Sequence, residues 1–292
     1  MRVKSLTPDL GYLRVAMVNV YFFGPPGSGD REWVLVDAGL PGSASWIAGA
    51  AAERYGNARP AAIVLTHGHV DHVGALETLA KRWDVPVYAH PRELPYLTGR
   101  ESYPPSDPAV GGGIMPLVGL LFPRGPIDLG ERARALPGDG SVPNMPGWRW
   151  LPTPGHTSGH VSLFRESDRT LLAGDAFVTT KQESVLAIIT QRPEMHGPPS
   201  YFTTDWPEAE ISVQRLADLE PELAATGHGR PLRGAAMRRE LHALATDFDR
   251  RAVPAHGRSV GRPIFDEPLP KMLLGAGAAV IAGLVLSRVG RR

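Results

Sequence analysis

Apolar residues fall along this chain in short runs separated by polar or Gly/Pro punctuation, and the runs alternate between two periods. Residues 18–23 and 33–37 are stretches of strand length, apolar except for Asn19 and Asp37 and split by a Gly/Pro-rich turn over 24–29. Residues 41–55 carry helical spacing. Residues 61–65 (Ala-Ala-Ile-Val-Leu) read as a buried strand ending at Thr66. Residues 75–83 place Leu76, Leu79 and Ala80 on one side of a helix, and 85–90 read as another strand. From 91 to 147 the periodicity fails and Pro and Gly become frequent, as in a long functional insertion. Its apolar stretch 111–122 suits either a lid over a site or a piece of core. Strands resume at 148–152, 161–164 and 170–175. A helix comes next over 207–219 with Ile211, Leu216 and Leu219 as its apolar side, then a strand at 222–226 and a helix over 233–251.

Polar side chains with chemistry to offer sit where these strands end. Between Thr66 and Gly74 the chain packs His67, His69, Asp71 and His72 into one strand-to-helix loop, where a rigid scaffold can present them at an open edge. Three imidazoles and a carboxylate at this spacing point to metal binding, although each alone reads as a hydrogen-bonded structural residue. Three further candidates lie in the same setting: His156 in Pro154-Gly155-His156-Thr157-Ser158-Gly159-His160, Asp175 closing a strand, and His228 between two glycines. Together they make seven oxygen and nitrogen ligands, enough for two metal ions with a water position left open. His90 and His160 read as buried, hydrogen-bonded residues outside the chemistry.

Composition narrows the choice. The chain has 292 residues, no Cys and a formal net charge of +1. Thiolate ligation and disulfides are excluded, so any metal is held by imidazole and carboxylate, which suits zinc, iron or manganese better than copper(I). Balanced charge gives no field to recruit nucleic acid. The N-terminus lacks an apolar signal core, so the cytoplasm is the expected location. Residues 1–255 are expected to form one catalytic domain with 91–147 inserted, and 256–292 a linker and apolar tail helix.

The cluster and the three later ligands resemble the metallo-β-lactamase superfamily, in the subset similar to glyoxalase II, and the match runs from about Val18 to His228. The resemblance implies an α+β fold, a four-layer αββα sandwich with metals at one edge. It implies that His67, His69 and His156 hold a first metal, that Asp71, His72 and His228 hold a second, and that Asp175 bridges them. Asp37 falls where the family carries an acidic residue that orients a ligand, and Thr66 precedes the first ligand as expected.

Departures from relatives sharpen the expectation. Class B β-lactamases usually replace the bridging carboxylate, which is Asp175 here. Flavo-diiron reductases carry Glu at the position of His69. Acyl-homoserine lactonases place Tyr where this chain has Val178. Glyoxalase II adds a helical domain after its last ligand, so a glutathione thioester is not supported. What remains is a dinuclear metallo-hydrolase acting on an ester, thioester or lactone. Hydroxide held by two divalent ions, zinc first with iron or manganese as alternatives, would be the nucleophile and Asp71 the proton shuttle. The competing enzyme class is a mononuclear-iron persulfide dioxygenase. A non-catalytic binding protein is the other alternative, and the complete ligand set speaks against it. Lys181, His196 and Tyr201, on the segment after Asp175, are candidate substrate contacts.

The C-terminal run 272–287 is uncharged, and Gly275, Ala279 and Gly283 recur at four-residue spacing. As a helix it would span ~24 Å, short of a hydrocarbon core of ~30 Å. Arg288, Arg291 and Arg292 beyond it would resist translocation. The run is expected to contact a membrane, the chain's own apolar insertion or a second copy of the chain, and a membrane contact, with 114–122, would hint at an acyl, lipid-like small-molecule substrate.

Overall fold

A computed structural model describes residues 2–264. The expected tail helix and its run 272–287 lie outside the described residues. Among the described residues no helix is long and apolar enough to cross a membrane.

Two sheets pack face to face. The first runs β1 (Lys4–Thr7), β2 (Leu10–Val15), β3 (Val18–Phe23), β4 (Val34–Val36), β5 (Ala62–Val64), β6 (Val87–Ala89) and β7 (Ala133–Ala135) in sequence order. It is antiparallel as far as β4 and parallel from β4 to β7. The second runs β12 (Leu232–Arg233), β11 (Leu223–Thr226), β10 (Thr170–Gly174), β9 (Val161–Arg165) and β8 (Trp148–Pro152), with only β10 and β11 parallel.

Period-2 alternation explains the layering. In β3 to β5, Tyr21, Phe23, Val34, Val36 and Val64 point inward and meet Trp148, Val161, Leu163, Leu172 and Ala225 of the other sheet. Their neighbours Val20, Phe22, Leu35 and Ile63 point outward, against helices α1 (Ala44–Tyr55) and α3 (Leu76–Trp83). A single turn, α2 (Val70–Val73), precedes α3. On the far side Leu171, Ala173 and Ala224 meet the later helices α7 (Trp206–Asp218) and α8 (Gly234–Thr246). The result is the expected αββα sandwich. Strands buried on both faces read as unbroken apolar runs, and for that reason β3 to β5 were visible in the sequence.

Several elements differ from expectation. β1 and β2 were not foreseen, because β1 is half polar and Gly11 and Arg14 interrupt β2. The 91–147 insertion is not structureless. It holds the single turns α4 (Leu94–Leu97) and α5 (Met115–Val118), and β7 extends the first sheet beside β6. A three-residue strand with Arg134 at its centre is too short to announce itself. After β10 comes α6 (Val185–Thr190), also unforeseen. In α7, Ile211 is 41% exposed rather than buried. The inner side is instead Trp206, Ala209, Val213 and Leu216, with the Ser212 hydroxyl donating to the Pro154 carbonyl at 2.7 Å. The helix expected over 233–251 breaks at Asp247 (φ −125°), and a last turn, α9 (Phe248–Arg251), comes after it.

Candidate metal centre

The functional side chains gather at the edge where the parallel strands end. Asp37 follows β4, Thr66 and His67 follow β5, Asp175 follows β10, and His228 follows β11. His156 comes from the β8–β9 loop, and Asp71 and His72 from α2. Parallel strands that stop together leave their successors side by side, so loops far apart in sequence meet in one crevice.

Three groups of ligand atoms converge: His67, His69 and His156; His67, His72 and Asp175; and Asp71, His72 and His228, each within 4.8 Å and all buried. His69 Nδ1 lies 3.1 Å from His67 Nε2 and 2.9 Å from His156 Nε2. Asp175 Oδ2 lies 3.6 Å from His156 Nε2, 3.5 Å from His72 Nε2 and 3.1 Å from His228 Nε2. His228 Nε2 is also 3.2 Å from Asp71 Oδ2.

The surroundings set the tautomers. Asp37, held at φ 61°, accepts from the Thr66 amide at 2.8 Å and from the His72 Nδ1–H at 2.8 Å. The Thr66 hydroxyl donates to Asp37 at 2.9 Å, so its oxygen takes the Nδ1–H of His67 at 3.1 Å. The Thr203 hydroxyl likewise donates to the Pro199 carbonyl and accepts from His156 Nδ1 at 3.1 Å. His228 donates Nδ1–H to the Met17 carbonyl at 2.8 Å. In all four rings Nδ1 is engaged, which leaves Nε2 as the atom each ring turns toward the cluster. The Nε2 of His72 and the Oδ1 of Asp175 have no hydrogen-bond partner although both are buried. Residues of this kind in this arrangement fit divalent cations.

Charge divides the cluster in two. Burial, reinforced for His67 and His156 by the neighbouring imidazoles, holds both well below the ordinary histidine range and lowers His69 to about 4. These three are neutral at physiological pH. Burial also opposes charge on His72 and His228. There, however, the carboxylates overcome it: Asp175, Asp37 and Asp71 lift His72 well above its usual value, and Asp175 and Asp71 lift His228 to about 10. Burial disfavours the Asp71 anion too, but His72 and His228 bring it down to about 2. A cation entering the second group therefore displaces protons, and one entering the first does not.

Further residues brace the centre without a sequence signal. Glu93, fully buried, joins the two histidine loops. Its carboxylate accepts from the Gly68 amide (2.9 Å) and Tyr103 hydroxyl on one oxygen, and from the Thr157 hydroxyl (2.7 Å) and Gly159 amide (3.1 Å) on the other. It sits at the start of the insertion, where a lone Glu among Pro and Arg reads as surface; no spacing marks it. His160 accepts the Asp175 amide at 2.9 Å through Nε2 and donates through Nδ1 to Thr153, so it is a hydrogen-bonded residue that holds a strand end. His90 is half-buried against Trp150 and accepts the Arg92 amide.

The three candidate substrate contacts separate. Tyr201 is buried in the layer over the cluster with Met17, Met115 and Phe202, and the Phe202 ring lies 5.0 Å from His69. Lys181 and His196 instead line a cavity of ≈ 170 Å³ with Glu183, Ser200 and Arg251, and none of the seven ligand candidates borders it. Beside His69, a gap of only ≈ 10 Å³ between Tyr103, Pro104 and Phe202 has room for about one water.

This chain belongs to the metallo-β-lactamase superfamily, whose family model matches residues 13–228. Among its relatives, the probable metallo-hydrolase YflN of Bacillus subtilis is 49% identical over 234 residues, covering 80% of this chain and 88% of that one. A β-lactamase domain protein from Burkholderia ambifaria shares the fold with a TM-score of 0.60 at 18% identity, covering 85% of this chain and 73% of that one. TTHA1623 in a di-iron-bound form aligns with a TM-score of 0.50 and 25% identity, over 80% of this chain and 95% of that chain. The chain is thus a hydrolase of the metallo-β-lactamase fold, a fold that implies divalent metal, with the converging His and Asp groups as its candidate ligands.

Proposed function

We propose that this chain is a dinuclear metal-dependent hydrolase that cleaves an ester, thioester or lactone. One observation carries the reading: Asp175 Oδ2 faces the first histidine group through His156 and the second through His72 and His228, all within 3.6 Å. A carboxylate oxygen so placed suits a bridge between two cations. The di-iron form of TTHA1623 supports two ions on this fold. Zinc is the proposed metal, with iron or manganese as alternatives that the same donors accept.

A bound pair of divalent cations supplies Lewis-acid polarisation of a carbonyl and a water acidified to near neutrality. The chain supplies the rest. Asp71 is the less enclosed of the two buried carboxylates (7% exposed against 2% for Asp175) and is already ionised, so it can take a proton from water and pass it on. Asp37 and the Met17 carbonyl keep His72 and His228 in the ligand tautomer. Burial, then Asp71, raises the Tyr201 hydroxyl well above its ordinary value, so it stays protonated and able to donate to an oxygen of the substrate.

The test is elemental analysis of chain purified without chelators, followed by a panel of esters, thioesters and lactones. Two ions per chain, with hydrolysis lost on chelation and in Asp175→Asn, is the expected result. One iron per chain with oxygen uptake on a persulfide would overturn it.

A further inference from the structure

Above the cluster the chain exposes apolar side chains in one place. Ile114 (57% exposed), Leu117 (56%) and Leu121 (56%) on or flanking α5, and Leu186 (71%) and Ile189 (61%) on α6, point into solvent. Among the described residues, every strongly exposed large apolar side chain except Ile211 lies on these two helices or within three residues of them. They form one surface: Gly113 packs so closely on the Glu183 carbonyl that a Cβ would stand 1.9 Å from it, and Met115, Val118 and Ile188 share one cluster beneath. That cluster includes Tyr201 and Phe202 and rests on Met17, whose carbonyl holds His228. The patch is therefore the outer skin of the layer that closes the metal centre. Residues 113–123 and 185–190 carry no charge, while Arg124, Lys181 and Arg192 stand beside them. Exposed apolar patches rimmed by polar groups mark interaction sites rather than ordinary surface.

The chain leaves the described structure at the same place. Ile264 donates its amide to the Thr204 carbonyl at 2.9 Å, and Arg258 binds the Ser106 carbonyl at 3.1 Å. The Ser106 hydroxyl in turn donates to the Pro116 carbonyl within α5 at 2.8 Å. Eight residues beyond Ile264 begins the uncharged run 272–287, with Arg288, Arg291 and Arg292 after it. That run carries no charge at any position and so has no polar face to offer. If it merely covered the patch, it would hide one apolar surface and present another. A second copy of the chain would meet the same difficulty twice. A phospholipid surface accepts both the patch and the run, and anionic headgroups suit the cations beside them.

We propose that the face made by α5 and α6 seats this protein on a phospholipid bilayer. The acyl substrate then reaches the centre from the lipid side through the layer of Met17, Met115, Tyr201 and Phe202. The entry route rests on the hydrolase reading above; the docking does not.

The test uses the full chain in flotation with vesicles of phosphatidylcholine and phosphatidylglycerol, comparing it with a variant carrying Leu117→Ser, Leu121→Ser, Leu186→Ser and Ile189→Ser. These side chains are already more than half exposed, so an unchanged melting temperature checks that the variant folds. Each loss should weaken partitioning roughly fivefold, and the four together by a factor on the order of hundreds. Wild-type protein that stays with the aqueous fraction overturns the proposal. So does a variant that floats equally well, since the tail then binds without this face, or a wild-type dimer that the variant dissolves. Turnover is read separately. An ester embedded in the vesicles should lose hydrolysis in the variant while a short water-soluble ester keeps it. Patch-dependent flotation with neither ester cleaved leaves docking in place and overturns the hydrolase reading and its entry route.

Discussion

Glu93→Gln replaces one oxygen of a carboxylate that four donors share, and no orientation of the new amide satisfies all four. One oxygen of Glu93 takes the Thr157 hydroxyl at 2.7 Å and the Gly159 amide at 3.1 Å; the other takes the Gly68 amide at 2.9 Å and the Tyr103 hydroxyl. Whichever way the glutamine side chain turns, its NH₂ faces one of these pairs. A hydroxyl can rotate and accept from it, but a backbone N–H cannot. Turned one way it leaves the Gly159 amide unpaired. Turned the other, the Gly68 amide keeps the Tyr103 oxygen at 3.1 Å but the Tyr103 hydroxyl loses its acceptor. One buried donor is unpaired either way, at a cost of about 1–3 kcal/mol. In a chain of this size that lowers the melting temperature by roughly 2–5 °C. Gly68 lies between His67 and His69, and Gly159 is on the His156 loop, so the two loops lose their tie. The metal affinity of the first histidine group should then fall by about 10–100-fold. The assay is a thermal melt of metal-free protein, paired with competition for zinc against a chelating dye. A Gln variant that melts like wild type and binds zinc equally well would mean that the loops hold each other without the carboxylate, and the reasoning would fail.

Three other substitutions probe different links. Asp37→Asn preserves shape and tolerates the positive φ, but an NH₂ facing His72 Nδ1 turns the ring to the tautomer with a proton on Nε2. The variant should stay folded by circular dichroism and lose about 10–100-fold in metal affinity at the Asp71, His72 and His228 group. Gly227→Ala would place a Cβ 2.0 Å from Asp175 Oδ1 and 2.7 Å from His72. It should displace the Asp175 carboxylate, and elemental analysis should find less than the wild-type metal content. Arg165 joins Asp9 and Asp168 at 2.6 Å each, linking the two sheets. Burial opposes both anions, but Arg165 lowers both pKa values below the ordinary 3.8. Their stabilisation is therefore present above about pH 4 and is lost as the pH falls through the lowered values. Arg165→Met should cost about 1 kcal/mol near neutrality, and urea melts should show the gap from wild type closing below about pH 4; a gap independent of pH would refute the assignment.

Sequence by itself determined the strands buried on both faces, because a strand covered on two sides must be apolar at consecutive positions. It also determined the inventory of candidate ligands. Metal-binding side chains are few in kind, and His67, His69, Asp71 and His72 crowd one loop, with His156, Asp175 and His228 each just past a strand. Those seven do converge. Edge elements were not legible: β1, β7 and β12 are short and partly polar, and their pairing is decided by a neighbouring strand rather than by their own pattern. The apolar side of α7 was misjudged at Ile211, since small residues such as Ala209 and Ser212 face the core where the packing is close. Nor could local pattern foresee Glu93, Tyr103, Thr203 or the Met17 carbonyl. Each acts on a loop distant in sequence, and a hydrogen bond across that distance leaves no trace in spacing. Tertiary structure alone decided that Tyr201 belongs over the metal centre while Lys181 and His196 line another cavity. Local sequence records what a residue can do and how its own turn or strand is buried; which donors and acceptors meet depends on strands that stop at the same edge.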